Sequence, residues 1–343
     1  MQNKNNKDSK AVSQQRSSVA AINNARISSF FSNYGIIVFT ILLVIAATII
    51  KGSTFFNWNN LFNILRSNAT IGIIAFGMAF VIISGNIDLS VSSQLVAVSA
   101  VTLTFVDFVT PALGPVLSSA AAVIVGIGMS CALSGLVGVL VTKGRVPSFI
   151  VTLGMQYIYR SLCREFMSGG GFTTKSAAYQ KISNTELFGV VPMPIVYFVL
   201  MFLLYFYISK YTKLGRHIYA VGSNEKATRL SGINTDTIRI ISFVLLGFAV
   251  GVASITESSR MGSINSTSSG VGYELNAIAM AVVGGIAMEG GKGSIVGVLF
   301  GILTLGIINN MLNLIGVSPQ IVDAIRGVII VLAVLLQRKE KER

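Results

Sequence analysis

Charged residues are scarce in this chain of 343 residues: Asp, Glu, Lys and Arg together make up 11% of it, where a soluble domain carries about 25%. So little charge cannot cover the water-facing surface of a soluble protein of this length. The two cysteines, Cys131 and Cys163, lie in or beside apolar segments, so neither a disulfide framework nor a thiolate metal site is expected. The single histidine, His217, excludes a His-rich zinc site.

Apolar residues are abundant instead, at 52% of the chain with a mean hydropathy of +0.73. They are concentrated in ten runs, several of which can cross a bilayer core of about 30 Å, a distance that needs about 20 helical residues. The sequence therefore predicts an all-α, polytopic integral membrane protein with about ten transmembrane helices. Two runs are too short alone, which predicts broken helices shielded by neighbours. The runs are 35–50, 69–83, 91–109, 115–141, 149–159, 195–208, 238–255, 277–287, 295–314 and 321–336.

The basic residues flank these runs and set a topology. The net charge of +13 comes from 26 Lys and Arg against 13 Asp and Glu. With ten crossings and a cytoplasmic N-terminus, 18 of the 26 basic residues fall on the cytoplasmic side and seven on the outside. This asymmetry follows the positive-inside rule, so we interpret the excess of basic residues as setting the orientation in the membrane and not as a nucleic-acid-binding site. Both termini are expected in the cytoplasm.

The polar stretches divide the chain. Residues 1–34 are predicted to be a basic cytoplasmic tail without a cleavable signal peptide. Residues 35–337 are predicted to form the transmembrane domain, and 338–343 a second cytoplasmic tail. Within the domain, 164–194 form a long outer segment and 209–239 a long inner loop.

A short polar segment, 85–93, separates the second and third runs. Asp88 or Ser90 can accept hydrogen bonds from free N–H groups at the start of a helix, so one interpretation is a helix cap at a break. The other is a polar wall of a solute path, to which Asn86 would also contribute. The two interpretations are compatible.

The inner loop contains a candidate short helix at 224–231. Ser223 suits its N-cap and Gly232 the position after its C-cap. Glu225 and Arg229 are four residues apart, complement the helix dipole and can pair. A two-turn helix is unstable alone and must pack on something, either its own inner loops or a partner at the membrane surface.

Four stretches in order resemble ABC-importer permeases of the ribose/galactose class, and the resemblance runs from about residue 35 to 336. They are GNIDLSV at 85–91, GRVPSFIVTLG at 144–154, the inner-loop sequence LGRHIYAVGSNEKATRLSG at 214–232, and GYELNAIA at 272–279 followed by GGKG at 290–293. GKG at 291–293 and NNMLNL at 309–314 most resemble the ribose permeases. Two residues depart from the pattern, since Ser92 stands where glycine is usual and Asn276 where aspartate is usual.

The resemblance implies the permease subunit of an ATP-driven monosaccharide importer in a bacterial cytoplasmic membrane. It also implies a second permease copy, two ATP-binding cassette ATPase subunits inside, and a sugar-binding protein outside. ATP and Mg²⁺ would be bound by the ATPase, so this chain needs no cofactor. The inner-loop helix would be the coupling helix that contacts the ATPase, with residues Ser223, Asn224, Glu225, Lys226, Ala227, Thr228, Arg229, Leu230, Ser231 and Gly232.

Tyr273 and Glu274, which lead into the eighth run from its predicted outer side, join Asn86, Asp88 and Ser90 as candidates for the translocation path. An aromatic ring stacks on the C–H faces of a sugar and a carboxylate accepts its hydroxyl protons. The alternative for this pair is an interfacial aromatic beside a helix-capping acid.

Enzyme and ion-coupled functions are the alternatives. The sequence GGKGS at 290–294 fails the phosphate-loop spacing, which would need glycine at Ile286 and a hydroxyl residue at Gly293. Neither a His-Glu-x-x-His pattern nor a Gly-x-Ser-x-Gly elbow is present. An ion-coupled carrier of a small polar solute remains open because of Asp88, Glu274 and Glu289, but it gives no reason for the capped inner helix.

Overall fold

The computed structural model describes residues 35–341. Within that part of the chain the architecture is helical, as predicted, with two small antiparallel strand pairs. The helices are α1 (Gly35–Thr54), α2 (Trp58–Ile83), α3 (Val91–Gly144), α4 (Ser148–Phe166), α5 (Ala177–Asn184), α6 (Met193–Tyr211), α7 (Lys213–Ser223), α8 (Glu225–Leu230), α9 (Thr235–Met261), α10 (Tyr273–Val283), α11 (Ile295–Ile315) and α12 (Pro319–Lys341). The strands are β1 (Gly171–Thr173), β2 (Glu186–Leu187), β3 (Val191–Pro192) and β4 (Ser263–Asn265).

Helix α3 is a helical hairpin. Its 54 residues would extend about 80 Å if straight, far more than a bilayer core. The chain reverses at Gly114, whose φ of 75° and ψ of 166° are accessible essentially to glycine alone. Hydrogen bonds across the turn join Thr110 to Ser118 at 2.9 Å and the Gln94 amide to the Ser130 carbonyl at 2.8 Å. The two runs predicted at 91–109 and 115–141 are therefore two antiparallel arms.

Six helices in the described residues are long and apolar enough to cross a membrane: α1, α2, α3, α6, α9 and α11. Since α3 contributes two arms, and α4, α10 and α12 do not meet that criterion, the count of ten crossings remains a prediction. The eighth run was predicted at 277–287, but its helix ends at Val283 because the chain turns at Gly284 and Gly285. This helix is short, as expected.

The core surrounds α9, which packs between α2 and both arms of α3. Close approach depends on small residues: a Cβ on Gly247 would lie 2.7 Å from the Ser130 carbonyl oxygen, and one on Gly251 would lie 2.9 Å from the Ile127 Cα. In a bilayer, which gives helices no hydrophobic drive to associate, such backbone proximity supplies the packing. Small residues of the two helices thus form one interface: Gly126, Ser130, Ser134 and Gly138 of α3, and Gly247 and Gly251 of α9.

The connections gather at two ends of the bundle. One end, called here the α8 end, contains residues 84–90, 145–147, 212–234 and 284–294. The opposite end contains α5 and the strands, where β1 pairs with β4 in the register Phe172 to Ile264 and β2 pairs with β3. The predicted outer segment at 164–194 is therefore a folded layer and not an open loop.

Candidate functional site

The coupling-helix candidate forms a two-turn helix, but its N-cap differs from the prediction. Ser223 is the last residue of α7, and the extended Asn224 caps α8 by accepting the Ala227 N–H at 3.0 Å on its Oδ1. The prediction of Ser223 as N-cap was wrong because α7 continues to the residue before Asn224. Gly232 follows the Ser231 C-cap in a left-handed conformation, as predicted.

A cluster of ion pairs fastens α8 to the bundle. The predicted pair of Glu225 and Arg229 is confirmed, at 2.9 Å. Glu225 also pairs with Arg239 at 2.8 Å, and Arg229 with Asp236 at 3.2 Å, so both charges reach the first turns of α9. Lys143 at the end of α3 lies 3.6 Å from Asp236. The helix therefore packs on its own inner loops through charge, which was one of the two alternatives.

The other face of α8 has no partner within the described chain. Thr228 points inward and is buried, while Lys226, Ala227 and Leu230 are exposed, Leu230 by 90% of its surface. The apolar face formed by Ala227 and Leu230 is therefore open. This small apolar face stands at an otherwise charged, polar end of the bundle.

The polar side chains of the segment 84–90, those of Ser84, Asn86, Asp88 and Ser90, are buried. The Asp88 carboxylate accepts the Ser90 N–H at 2.7 Å and the Ser90 hydroxyl at 2.6 Å on Oδ1, whereas its buried Oδ2 has no hydrogen-bond partner among the described residues. Asn86 is also buried and donates to the Ser84 carbonyl at 3.3 Å. Burial raises the pKa of Asp88 to about 6, against the lowering effect of the two bonds from Ser90. Ser90 precedes α3 but its side chain does not cap the helix.

Tyr273 and Glu274 begin α10, as predicted, and both are engaged from neighbouring helices. The Tyr273 hydroxyl donates to Glu257 Oε1 of α9 at 3.4 Å. Gln156 of α4 donates to Glu274 Oε1 at 3.4 Å, and the buried Glu274 Oε2 has no hydrogen-bond partner in the part of the chain that the structure describes. The two acidic candidates, Asp88 and Glu274, thus each have one carboxylate oxygen that the described residues leave without a hydrogen bond.

Arg160 of α4 connects the starts of α3 and α10. Its Nε donates to Ser93 Oγ at 3.3 Å, and its Nη1 donates to the carbonyl oxygens of Ser266 and Ser269 at 3.1 and 3.0 Å. The segment before α10 is thereby held against the first turn of α3. Among the hydrogen bonds of the described residues, none joins Asp88 directly to Glu274.

Comparison with known proteins identifies the family. A family model described as "Branched-chain amino acid transport system / permease component" matches residues 60–334. This chain belongs to that family. The ribose import permease protein of Escherichia coli K12 is 40% identical over 88% of this permease and 92% of the relative. That of Bacillus subtilis 168 is 38% identical over 87% and 90%. A fructose import permease protein of Rhizobium meliloti is 32% identical over 87% and 83%. No solved structure matches.

These relatives confirm the predicted family resemblance, and they are transport subunits and not enzymes. The family description mentions branched-chain amino acids, whereas these relatives are named for sugars. The relatives are the more specific comparison, since each aligns along nearly the whole permease.

Sequence reasoning missed a buried polar network in α9 of the permease. Glu257 accepts the Thr70 hydroxyl of α2 at 2.9 Å and pairs with Arg260 at 3.1 Å, in addition to its bond from Tyr273. Opposite charges three residues apart, just beyond the run at 238–255, were the available signal. Arg160, which was counted among the outer basic residues, is likewise an internal connection.

Proposed function

We propose that this permease is the membrane subunit of an ATP-driven importer of a monosaccharide, with ribose as the first sugar to test. The observation that carries the proposal is α8: a two-turn helix fixed by ion pairs on one side, with Leu230 and Ala227 open on the other. The relatives named as ribose and fructose import permeases support the substrate class.

In this proposal residues 223–232 contact the ATPase. The ion pairs hold α8 in one orientation on α9, and the ATPase covers the exposed face around Leu230. ATP and Mg²⁺ are bound by that partner. Movement of the ATPase shifts α8 and, through it, α7 and α9, which changes the side to which the path opens.

The α8 end is assigned to the cytoplasm. Lys143, Lys213, Arg216, Arg229 and Arg239 all lie at this end, which supports the assignment by the positive-inside rule. Both termini then lie in the cytoplasm, in a bacterial inner membrane. The opposite end, with α5 and the strand pairs, faces the sugar-binding protein.

The translocation path is assigned to the polar groups at the starts of α3 and α10. Asp88 and Glu274 each keep one buried carboxylate oxygen without a partner within residues 35–341, and these oxygens are free to accept hydrogen bonds from sugar hydroxyls. Asn86, Ser90 and Tyr273 complete the set. A second permease, either identical or a close paralogue, forms the other half of the path.

The test is uptake in proteoliposomes that contain the permease, its ATPase and the sugar-binding protein. Labelled ribose, galactose, xylose and fructose are compared with and without ATP. We expect uptake only with ATP and both partners. We also expect Leu230→Asp to abolish ATPase binding, and Lys226→Asp, one turn earlier in α8, to weaken that binding less. Uptake driven by an ion gradient without the ATPase would refute the proposal and favour the ion-coupled carrier.

A further inference from the structure

Three backbone segments meet without intervening side chains at the α8 end. Ile83 is the last residue of α2, Gly222 is the penultimate residue of α7, and Gly291 lies in the loop between α10 and α11. The Gly291 N–H donates to the Ile83 carbonyl at 2.8 Å. A Cβ on Gly222 would lie 1.7 Å from that same carbonyl oxygen and 2.6 Å from the Gly291 nitrogen. We call these three residues the glycine junction.

Gly291 is required there for two separate reasons. Its φ of 72° is a left-handed conformation that side chains disfavour, and a Cβ on it would lie 2.6 Å from the Ser223 Cα. The contact from α7 is reinforced one turn earlier, where the Tyr219 hydroxyl donates to the Gly293 carbonyl at 3.0 Å. The loop at 284–294 is therefore held by α7 at two points.

The junction stands between α8 and the proposed path. Gly222 lies two residues before Asn224, the N-cap of α8, and Ile83 lies five residues before Asp88. Side chains can change rotamer to absorb a small displacement, but backbone in contact with backbone cannot, and close-packed protein transmits strain. A shift of the end of α7 must therefore displace the end of α2 and the 284–294 loop.

We propose that the glycine junction is the mechanical link through which movement of α8 reaches α2 and the Asp88 segment. Gly222 and Gly291 are thus positioning residues for transport, acting through Ile83. This inference rests on the proposed function, because it assumes that an ATPase moves α8.

The test is Gly222→Ala, which must separate the segments by about 1.5 Å or more to restore an ordinary contact distance. We expect normal membrane insertion, ATPase binding and ATP hydrolysis, with the sugar transported per ATP hydrolysed falling about tenfold, a coupling effect of ordinary size. The control is Gly154→Ala in α4, where a Cβ meets open space and the ratio should be unchanged.

A second variant covers the case in which Gly222→Ala does not insert. Tyr219→Phe keeps the ring but loses the hydrogen bonds of its hydroxyl to the Gly293 carbonyl and to Ser209 Oγ, and the transported sugar per ATP should fall about two- to fivefold. If Gly222→Ala inserts and keeps the wild-type ratio of sugar transported to ATP hydrolysed, the inference is refuted while the proposed function stands. If Gly222→Ala does not insert, a wild-type ratio in Tyr219→Phe refutes the inference in the same way. Failure of the wild-type permease to transport with its ATPase would instead remove the proposed function, and the inference with it.

Discussion

Removing the charge of Glu225 should loosen α8 without unfolding the permease. This carboxylate joins two arginines, Arg229 at 2.9 Å and Arg239 at 2.8 Å, and so connects α8 to α9. Glu225→Gln keeps the side-chain length and removes both ion pairs. The hydrophobic contacts of the bundle lie elsewhere and are left intact.

The free energy that the two ion pairs of Glu225 contribute follows from how exposed their side chains are. The pair with Arg229 lies on the surface, with side chains 32% and 58% exposed, and an exposed helical pair contributes about 0.3–0.5 kcal/mol. The pair with Arg239 is less exposed, at 32% and 24%, and should contribute about 1 kcal/mol. Together they approach the 1.4 kcal/mol that corresponds to a factor of ten, so the docked fraction of α8 relative to the undocked should fall about tenfold.

Two measurements test this value. Hydrogen exchange at the amides of α8 should accelerate about tenfold in Glu225→Gln, since protection reports local opening. In proteoliposomes, ATP hydrolysis should continue while sugar transported per ATP falls, more so in the double variant Glu225→Ala with Arg229→Ala. High salt should weaken the wild-type attachment in the same direction.

The matched control is Lys213→Gln, which removes an exposed charge at the start of α7, outside residues 223–232 and outside the cluster of Glu225, Arg229 and Arg239. Its exchange rates and its coupling should match those of the wild-type permease. If Glu225→Gln also keeps wild-type exchange and coupling, the ion pairs do not hold α8 and the reasoning fails.

Three further predictions follow. Because burial raises the pKa of Asp88, its stabilising contribution is complete below about pH 4 and is lost as the pH rises through about 6; melting in detergent should show this loss in the wild-type permease but not in Asp88→Asn. Glu257→Ala should cost about 3 kcal/mol or more and lower the melting temperature by leaving the Arg260 charge unpaired, an expectation that unchanged melting would contradict. Gly247→Val should destabilise the α3–α9 interface, whereas Gly128→Val, which faces open space, should melt much closer to the wild type.

Local patterns in the sequence predicted the long apolar helices well, because each depends on neighbours along the chain, but they did not predict α5 and α7, which lie in the polar stretches 164–194 and 209–239. The pairing of Glu225 with Arg229 and the role of Gly232 required only helix periodicity and glycine's tolerance of a left-handed turn. The N-cap was misassigned to Ser223 because two helices abut there, and the preceding helix continues by one residue beyond the expected boundary.

Contacts between distant helices could not be predicted in the same way. Arg160 lies in α4 but bonds with residues 67 and more than 100 positions away in the chain, so nothing in its own neighbourhood indicates them. The same holds for Asp236 and Lys143, which approach only when α3 and α9 pack. The glycines at 284–285 and 290–293 were visible in the sequence, but their reason, backbone contact with α2 and α7, is tertiary.

The reversal of α3 at Gly114 bears on how the permease is made. Its two arms are joined by a turn rather than a hydrophilic loop, so no soluble linker is available to be carried across the bilayer ahead of the second arm. We expect both arms to leave the translocon and enter the lipid together, as one helical hairpin. Near the tip of this hairpin, Asp107 accepts the Thr174 hydroxyl at 2.7 Å. This hydrogen bond would form only after synthesis has reached α5.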